Sequence, residues 1–282
     1  MGKLKYIMLG ILGAILLLAI VGGIYIYVNF FMASPLAVLV VDQGTVQYKT
    51  EAGEWKNAAN GMELKQGYSV KTLEDSLAKI IFSNSVMRLD SGTEVRLDNL
   101  DKEKVTLTQM VGRTWNRLLK ISGINDYEVS TPNAIASVRG TGFAVVYDGK
   151  NTEVKVADGT VNVDSMEDGQ KKASAQVEGN KELKVEEGKL DRLNVEALKE
   201  DDWIVKNRGL DEQHKQEMKQ NILKKYGMLI NTVKSQYGMT DAQLDDLFEK
   251  WYNGEMSVKK AIADGKMPSE LARLIPEEFK RY

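Results

Sequence analysis

Three regimes of hydrophobic patterning follow one another along this 282-residue chain. Residues 7–28 contain no charged side chain and are mostly Leu, Ile, Val, Ala and Gly. At about 1.5 Å per residue such a helix spans about 33 Å, enough to cross a bilayer core of roughly 30 Å. From residue 38 to about 195, short runs rich in Val, Ile, Leu, Thr and Tyr alternate with polar positions and are separated by Gly, Asn and Asp. That period of two predicts β-strands. Past Asp211 the apolar positions Met218, Ile222, Leu223, Tyr226, Leu229, Ile230 and Val233 recur every three or four residues, which predicts a helix.

The flanks of the first run set its direction. Lys3 and Lys5 precede it, while Asn29 through Asp42 carry no Lys or Arg. Positive charge stays on the cytoplasmic side, so residues 1–6 are expected inside the cell and the remainder outside. A cleaved signal peptide has an apolar core of about 7–15 residues, shorter than this run, so the sequence favours a retained single-pass anchor in the cell membrane. Gly10-x-x-x-Ala14 and Ala19-x-x-x-Gly23 are small-xxx-small patterns through which two such helices could pack into a homo-oligomer.

In the β region, Thr45–Lys49, Ser69–Thr72, Ala78–Phe82, Val86–Leu89, Glu94–Leu97 and Val105–Leu107 read as strands. Asp90-Ser-Gly92, Asp148-Gly149 and Asp158-Gly159 supply turns between them. Tyr68-Ser-Val-Lys-Thr72 matches Tyr127-Glu-Val-Ser-Thr131, and Thr93-Glu-Val-Arg-Leu97 matches Thr152-Glu-Val-Lys-Val156, both at an offset of 59 residues. This implies two tandem similar halves, about 42–104 and 105–195, whose apolar faces cover each other.

The most distinctive stretch is Thr131-Pro-Asn-Ala-Ile-Ala-Ser-Val-Arg-Gly-Thr-Gly-Phe-Ala-Val145. Thr131, Pro132, Val138, Arg139, Gly140, Thr141, Phe143 and Val145 resemble the signature of the FecR domain family, and the likeness extends over about residues 42–195. The resemblance implies an extracytoplasmic, all-β, duplicated domain. It also implies signal transmission across a membrane in iron-uptake regulation, with an outer-membrane receptor as partner. Members of the family place an anti-sigma helical domain ahead of the membrane span, whereas here residues 1–6 stand there. A regulator of this kind is therefore expected to act through another membrane protein.

The motif itself reads as structural. Arg139-Gly-Thr-Gly142 lacks the spacing of a phosphate loop, and strand-type residues follow it where a helix should start. Gly140 and Gly142 fit a bulge or a close backbone approach, so Gly140→Val is expected to collapse the fold. Arg139 is expected to hold a turn carbonyl or a carboxylate. Packing is the expected role of Trp55 and Trp115, and Trp55, Trp115 and Trp251 are the candidates should a partner be contacted.

Composition narrows the chemistry. The chain has no cysteine, which removes disulfides, thiolate metal sites and cysteine nucleophiles. His214 stands alone, which argues against a multi-histidine metal site within one chain, and it reads as a solvated residue on a helix. A net charge of −2 gives no footprint for nucleic acid. The carboxylate pairs Asp201-Asp202 and Asp245-Asp246 point apart on a helix, and no nucleophile elbow or calcium loop is present. No cofactor, metal site or catalytic residue is expected, and the chain is not expected to be an enzyme.

Beyond the β region, Asp202–Asp211 reads as a short bridge that resembles the Trp…Asn…Asp segment after FecR domains. Tyr237-Gly238 should end the first helix. Thr240-Asp-Ala-Gln243 should cap a second with Leu244, Leu247, Phe248 and Trp251 as its apolar stripe. Two more short helices are expected at 257–264 and 268–282. The expected architecture is thus a cytoplasmic stub (1–6), a transmembrane helix (7–28) and a linker with a first strand (29–41). A mainly-β ectodomain with a twin repeat (42–195) and a small helical C-terminal region (196–282) follow. The expected function is a membrane-anchored, non-catalytic binding, sensory or scaffold module. It would contact the bilayer through residues 7–28 and another envelope protein or component outside. A FecR-type transmembrane regulator of gene expression is the alternative.

Overall fold

A computed structural model describes residues 37–83, 85–253 and 255. The anchor expected at 7–28 and the short helices expected at 257–264 and 268–282 lie outside the described residues. Among the described residues no helix is long and apolar enough to cross a membrane.

Among the described residues, seventeen strands build two layers that share one strand. The first half supplies β1 (Ala37–Gln43), β2 (Val46–Lys49), β3 (Lys56–Asn57), β4 (Met62–Leu64), β5 (Ser69–Thr72), β6 (Leu77–Phe82), β7 (Ser85–Leu89) and β8 (Glu94–Leu100). The long β9 (Lys104–Arg117) follows. Then come β10 (Asp126–Ser130), β11 (Ala134–Val138), β12 (Gly142–Tyr147), β13 (Thr152–Asp158), β14 (Thr160–Glu167), β15 (Gln170–Glu178), β16 (Lys181–Val185) and β17 (Val195–Ala197). Sheet I runs β4-β1-β6-β7-β9-β12-β13-β16-β17. Sheet II runs β3-β2-β5-β8-β9-β10-β11-β14-β15. Every pairing is antiparallel except β9 with β10, which is parallel.

Alternation along the strands gives each sheet one apolar face. In β6, Ala78, Ile80 and Phe82 are buried while Leu77, Lys79 and Ile81 are half-exposed. Leu39, Ile80, Phe143, Val145 and Val154 of sheet I meet Val70, Leu97, Leu107 and Val161 of sheet II in one core. Each such side chain, removed from water, contributes on the order of 1.5–3 kcal/mol.

β9 is the strand that sequence patterning describes least well. Its first part pairs with β8 in sheet II and its last part with β7 and β12 in sheet I. The crossing occurs at Gly112, whose φ is +96°. A Cβ there would lie 2.5 Å from Thr93 Cα and 2.9 Å from the Gly92 carbonyl oxygen, so only glycine fits. Changing sheets leaves backbone carbonyls without ladder partners. The buried Gln109 side chain meets two of them, donating to Gly112 O at 2.7 Å and Val145 O at 3.1 Å. Thr114 Oγ1 donates to Gln109 Oε1, Asn116 Nδ2 to Thr114 Oγ1, and Tyr127 Oη to Asn116 Oδ1. The core thus contains a hydrogen-bonded polar chain, the form in which such groups cost least inside.

The two 59-residue sequence matches do not fall on equivalent strands. Thr93–Leu97 runs into β8 of sheet II, whereas Thr152–Val156 lies in β13 of sheet I. A common scheme of partners instead relates β5, β6, β7 and β8 to β11, β12, β13 and β14. The pairs β5–β8 and β6–β7 recur as β11–β14 and β12–β13. A Thr-Glu-Val-basic-apolar run is generic strand patterning, which explains why it matched in the wrong register.

Two helices follow the strands: α1 (Asp202–Tyr237) and α2 (Asp241–Tyr252). The segment Asp202–Asp211, expected as a bridge, is the first part of α1. Asp201 caps it, its side chain accepting from Ile204 N at 2.8 Å, and this cap starts the helix at Asp202, ahead of Asp211, where the pattern placed its start. α1 is kinked at Tyr226 (φ −117°, ψ 16°) and stops at Gly238 in the left-handed conformation. α2 begins with the expected Thr240–Gln243 capping box. Lys215–Glu249 and Lys219–Asp245 ion pairs, each 2.8 Å, hold it against α1.

Candidate functional site

The family-like stretch is mostly buried framework. Thr131 Oγ1 lies 2.7 Å from Thr152 Oγ1 and accepts from Ala134 N at 3.0 Å. Asn133 Nδ2 donates to Lys150 O at 2.8 Å, and Thr152 Oγ1 donates to Asn133 Oδ1 at 2.5 Å. These bonds tie the turn before β11 to the turn before β13. Val138, Phe143 and Val145 are in the core, and Thr141 Oγ1 donates to Thr160 O at 3.2 Å. Pro132 and Arg139 are exposed. Arg139 makes no hydrogen bond or ion pair among the described residues, so it does not hold the turn as expected. Gly140 has φ +75° and Gly142 sits at a register shift between β12 and β13, the expected bulge.

The chemically richest constellation lies on the outer face of sheet I, under α1. Arg88 on β7 stands opposite Trp115 on β9, which stands opposite Ala144 on β12. The first turns of α1 cover this row. Ile204 packs with Trp115, Ala144 and Ala157, and Trp203 meets Trp115 edge-to-face at 6.0 Å. Arg113 lies 4.2 Å over the Trp203 ring and pairs with Asp90. Cation–π and aromatic contacts of this kind add about 0.5–1.5 kcal/mol each to burial.

Asp211 is the centre of the contact. Its carboxylate accepts from Arg88 Nη1 at 2.5 Å and from Trp115 Nε1 at 2.9 Å, with Arg117 Nε 3.8 Å away. Burial pushes its carboxyl above the ordinary carboxylate range, against the pull of Arg88 and Arg117. Arg117 loses hydration too, but Asp158 and Asp211 keep it firmly charged. Arg208 closes the neighbouring edge, donating to Ala157 O at 3.2 Å and Asn180 Oδ1 at 2.8 Å. On the far side, Tyr252 of α2 is buried against Leu119, and burial raises its phenol.

The tryptophans expected at a partner surface therefore occupy three environments. Trp115 is 1% exposed and hydrogen-bonded to Asp211, which takes it out of reach of any partner. Trp251 is half-buried among Phe248, Leu119 and Tyr252. Trp55 is half-buried at the surface of sheet II, with Lys49 and Lys71 ammonium groups 4.7 and 4.5 Å from its ring centroid. His214 is half-buried, not solvated as the sequence suggested, and burial lowers its imidazole pKa. Of the carboxylates noted in sequence, Asp201 caps α1, Asp245 pairs with Lys219 and Asp246 with Lys250. Among the described residues no three His, Cys, Asp or Glu side chains converge as a metal site.

The sequence named neither Arg88, Arg113 nor Arg117. Three outward-facing arginines on neighbouring strand positions, with an acidic residue on a following helix, were the available signal. Chemically the constellation is a latch: it fixes a helix to a sheet through a desolvated charge cluster.

Comparison with curated proteins returns no match. Solved structures to which the chain is similar include two crystal structures of an inferred anti-sigma factor from Parabacteroides distasonis, at 1.65 and 2.50 Å resolution. Each is 16% identical, with a TM-score of 0.40, over 46% of this chain. The match spans 59% of that protein's chain. Residues 68–162, which hold β5 through β13 and the Thr131–Val145 stretch, match the family model described as FecR protein, and the chain thus carries a FecR domain.

Proposed function

We propose that this chain is a membrane-anchored, extracytoplasmic signalling module whose FecR domain binds an envelope partner without catalysing a reaction. The observation that carries the reading is the FecR match over residues 68–162, which supports a role in signalling or regulation. The uncharged run at 7–28 supports a bilayer tether, and Lys3 and Lys5 ahead of it support an outward-facing domain. The latch supports transmission. A helix fixed to the sheet by a desolvated carboxylate moves with the sheet, so an event at the β-sandwich is passed to α1. A second reading, regulation of gene expression through a membrane partner, is favoured by the distal part of α1, where Met228 is 89% exposed.

The test uses the full chain in its native envelope with a photo-cross-linking residue at Trp55 or at Met228. The reading expects a discrete adduct with one envelope component from at least one of these positions. Monomeric, unadducted protein from both would contradict it. Deletion of the gene with no change in the transcript profile would dismiss the second reading alone.

A further inference from the structure

On the other side of α1 from α2, the helix stands off the β6–β7 hairpin and leaves an open groove of about 640 Å³. It shares Arg88 with the latch and none of the latch's other residues. Its walls are the outward side chains of β6 and β7 and one stripe of α1. Volumes of 300–1,000 Å³ are the range of small-molecule sites.

The groove is polarised along its length. Arg88 is bonded to Asp211, and Lys79 stands opposite Arg88 across the hairpin. That level, toward the start of α1, holds Lys79, Arg88 and Lys206. The hairpin tip is the other level: Ser85 Oγ accepts from Leu119 N, and Leu119 packs with Met218. There the walls are Ile81, Val86, Met218 and Ile222. The first level is therefore polar and charged, and the second, Glu217 and Lys225 apart, is largely apolar. Asp42 pairs with Lys79 at 2.9 Å and Asp211 with Arg88, so Lys206 is the cation that this level holds open to a ligand. Among the described residues Lys206 has no ion-pair partner, and His214, between the two ends, makes no hydrogen bond.

We infer that this groove binds a linear amphiphile with an anionic head, a carboxylate on a medium-length acyl chain. The chain lies along Ile81, Val86, Met218 and Ile222, and the head meets Lys206, beside the Lys79–Asp42 pair. An amphipathic helix about 10–12 Å across needs roughly twice this volume over three turns, so an extended hydrocarbon fits and a helical peptide does not. The apolar end supplies burial and the unpaired ammonium orients the head, the division of labour expected of a ligand site. The inference goes beyond the proposed signalling role and does not depend on it.

The test uses the full chain in phosphatidylcholine nanodiscs with a diazirine-bearing dodecanoate, the labelled peptides being located by mass spectrometry. Label is expected on residues 77–88 and 206–226. Unlabelled dodecanoate should compete it away, and dodecanol at the same concentration should not. Lys206→Glu, an exposed change, should raise the competing concentration of dodecanoate about tenfold, the worth of one charge-assisted contact. Ile222→Glu should abolish labelling while hydrogen exchange in α1 stays at the parent rate. Label confined to 7–28, equal competition by dodecanol, capture of an acidic peptide in place of dodecanoate, or an unchanged Lys206→Glu variant would each overturn the inference.

Discussion

Replacing Asp211 by alanine should release α1 from sheet I. The carboxylate is 8% exposed and its partner Arg88 13%, so the pair exchanges ions with water only when the helix lifts. Removal of one partner from a buried pair costs about 3–5 kcal/mol, because the remaining charge stays desolvated and uncompensated. The stranded Trp115 Nε1 adds to that cost, though part of it overlaps. A central figure of about 4 kcal/mol corresponds to about a thousandfold in the opening equilibrium. Amide hydrogen exchange of the full chain reads this directly, since residues 202–226 open as a unit if the latch governs them. Protection in β10–β16 should change far less. The double change Arg88→Met with Asp211→Leu should recover most of the loss, because a matched apolar pair avoids the buried lone charge. Exchange in α1 within threefold of the parent in Asp211→Ala would refute the latch.

Three further outcomes are expected. Gly112→Ala places a Cβ 2.5 Å from the Thr93 backbone at φ +96° and should cost at least about 3 kcal/mol in thermal unfolding. Gly140→Ala should cost only about 1–2 kcal/mol, since its Cβ meets the flexible Lys120 side chain; the reverse order would contradict the crossover. Thr131→Val removes a hydroxyl bonded to Thr152 and Ala134 and should cost about 1–3 kcal/mol, read from the same melts, whereas an unchanged melting temperature would show the motif is not framework. His214, the one histidine, gives a single imidazole NMR resonance. Burial, with Arg88 and Lys79 nearby, holds its pKa below the ordinary 6.5. The folded state then binds its proton less readily than the unfolded one, so stability is full above pH 6.5 and falls as pH drops toward the lowered value. His214→Gln should flatten that dependence, and a midpoint at or above 6.5 would contradict the half-buried placement.

The strands were legible because alternation and turn glycines both report on a half-buried pleat, and Ser69–Thr72, Ala78–Phe82 and Val86–Leu89 appear where the pattern places them. The crossover in β9 was not, because Gln109, Thr114 and Asn116 are polar residues at buried positions, kept there by bonds that only the folded chain supplies. The start of α1 was hidden by Asn207 and Gly209, which weaken the helical pattern, while the Asp201 cap went unweighed. The latch joins Trp115 and Asp211 across 96 positions, and no local pattern carries such a separation. Packing was the expected role of Trp115, but what it packs against was not legible, because the cover on its strand is a helix from elsewhere in the chain.

Membrane tethering with the FecR domain outside is the claim on which the functional reading rests, and the absence of cysteine makes it directly measurable. Single replacements Lys3→Cys and Lys102→Cys, the latter at an exposed turn, can be treated with a membrane-impermeant maleimide in intact cells and after lysis, with the outer membrane permeabilised where one is present. The account expects Lys102→Cys to be labelled in intact cells and Lys3→Cys only after lysis. Protection of Lys102→Cys until lysis would contradict it.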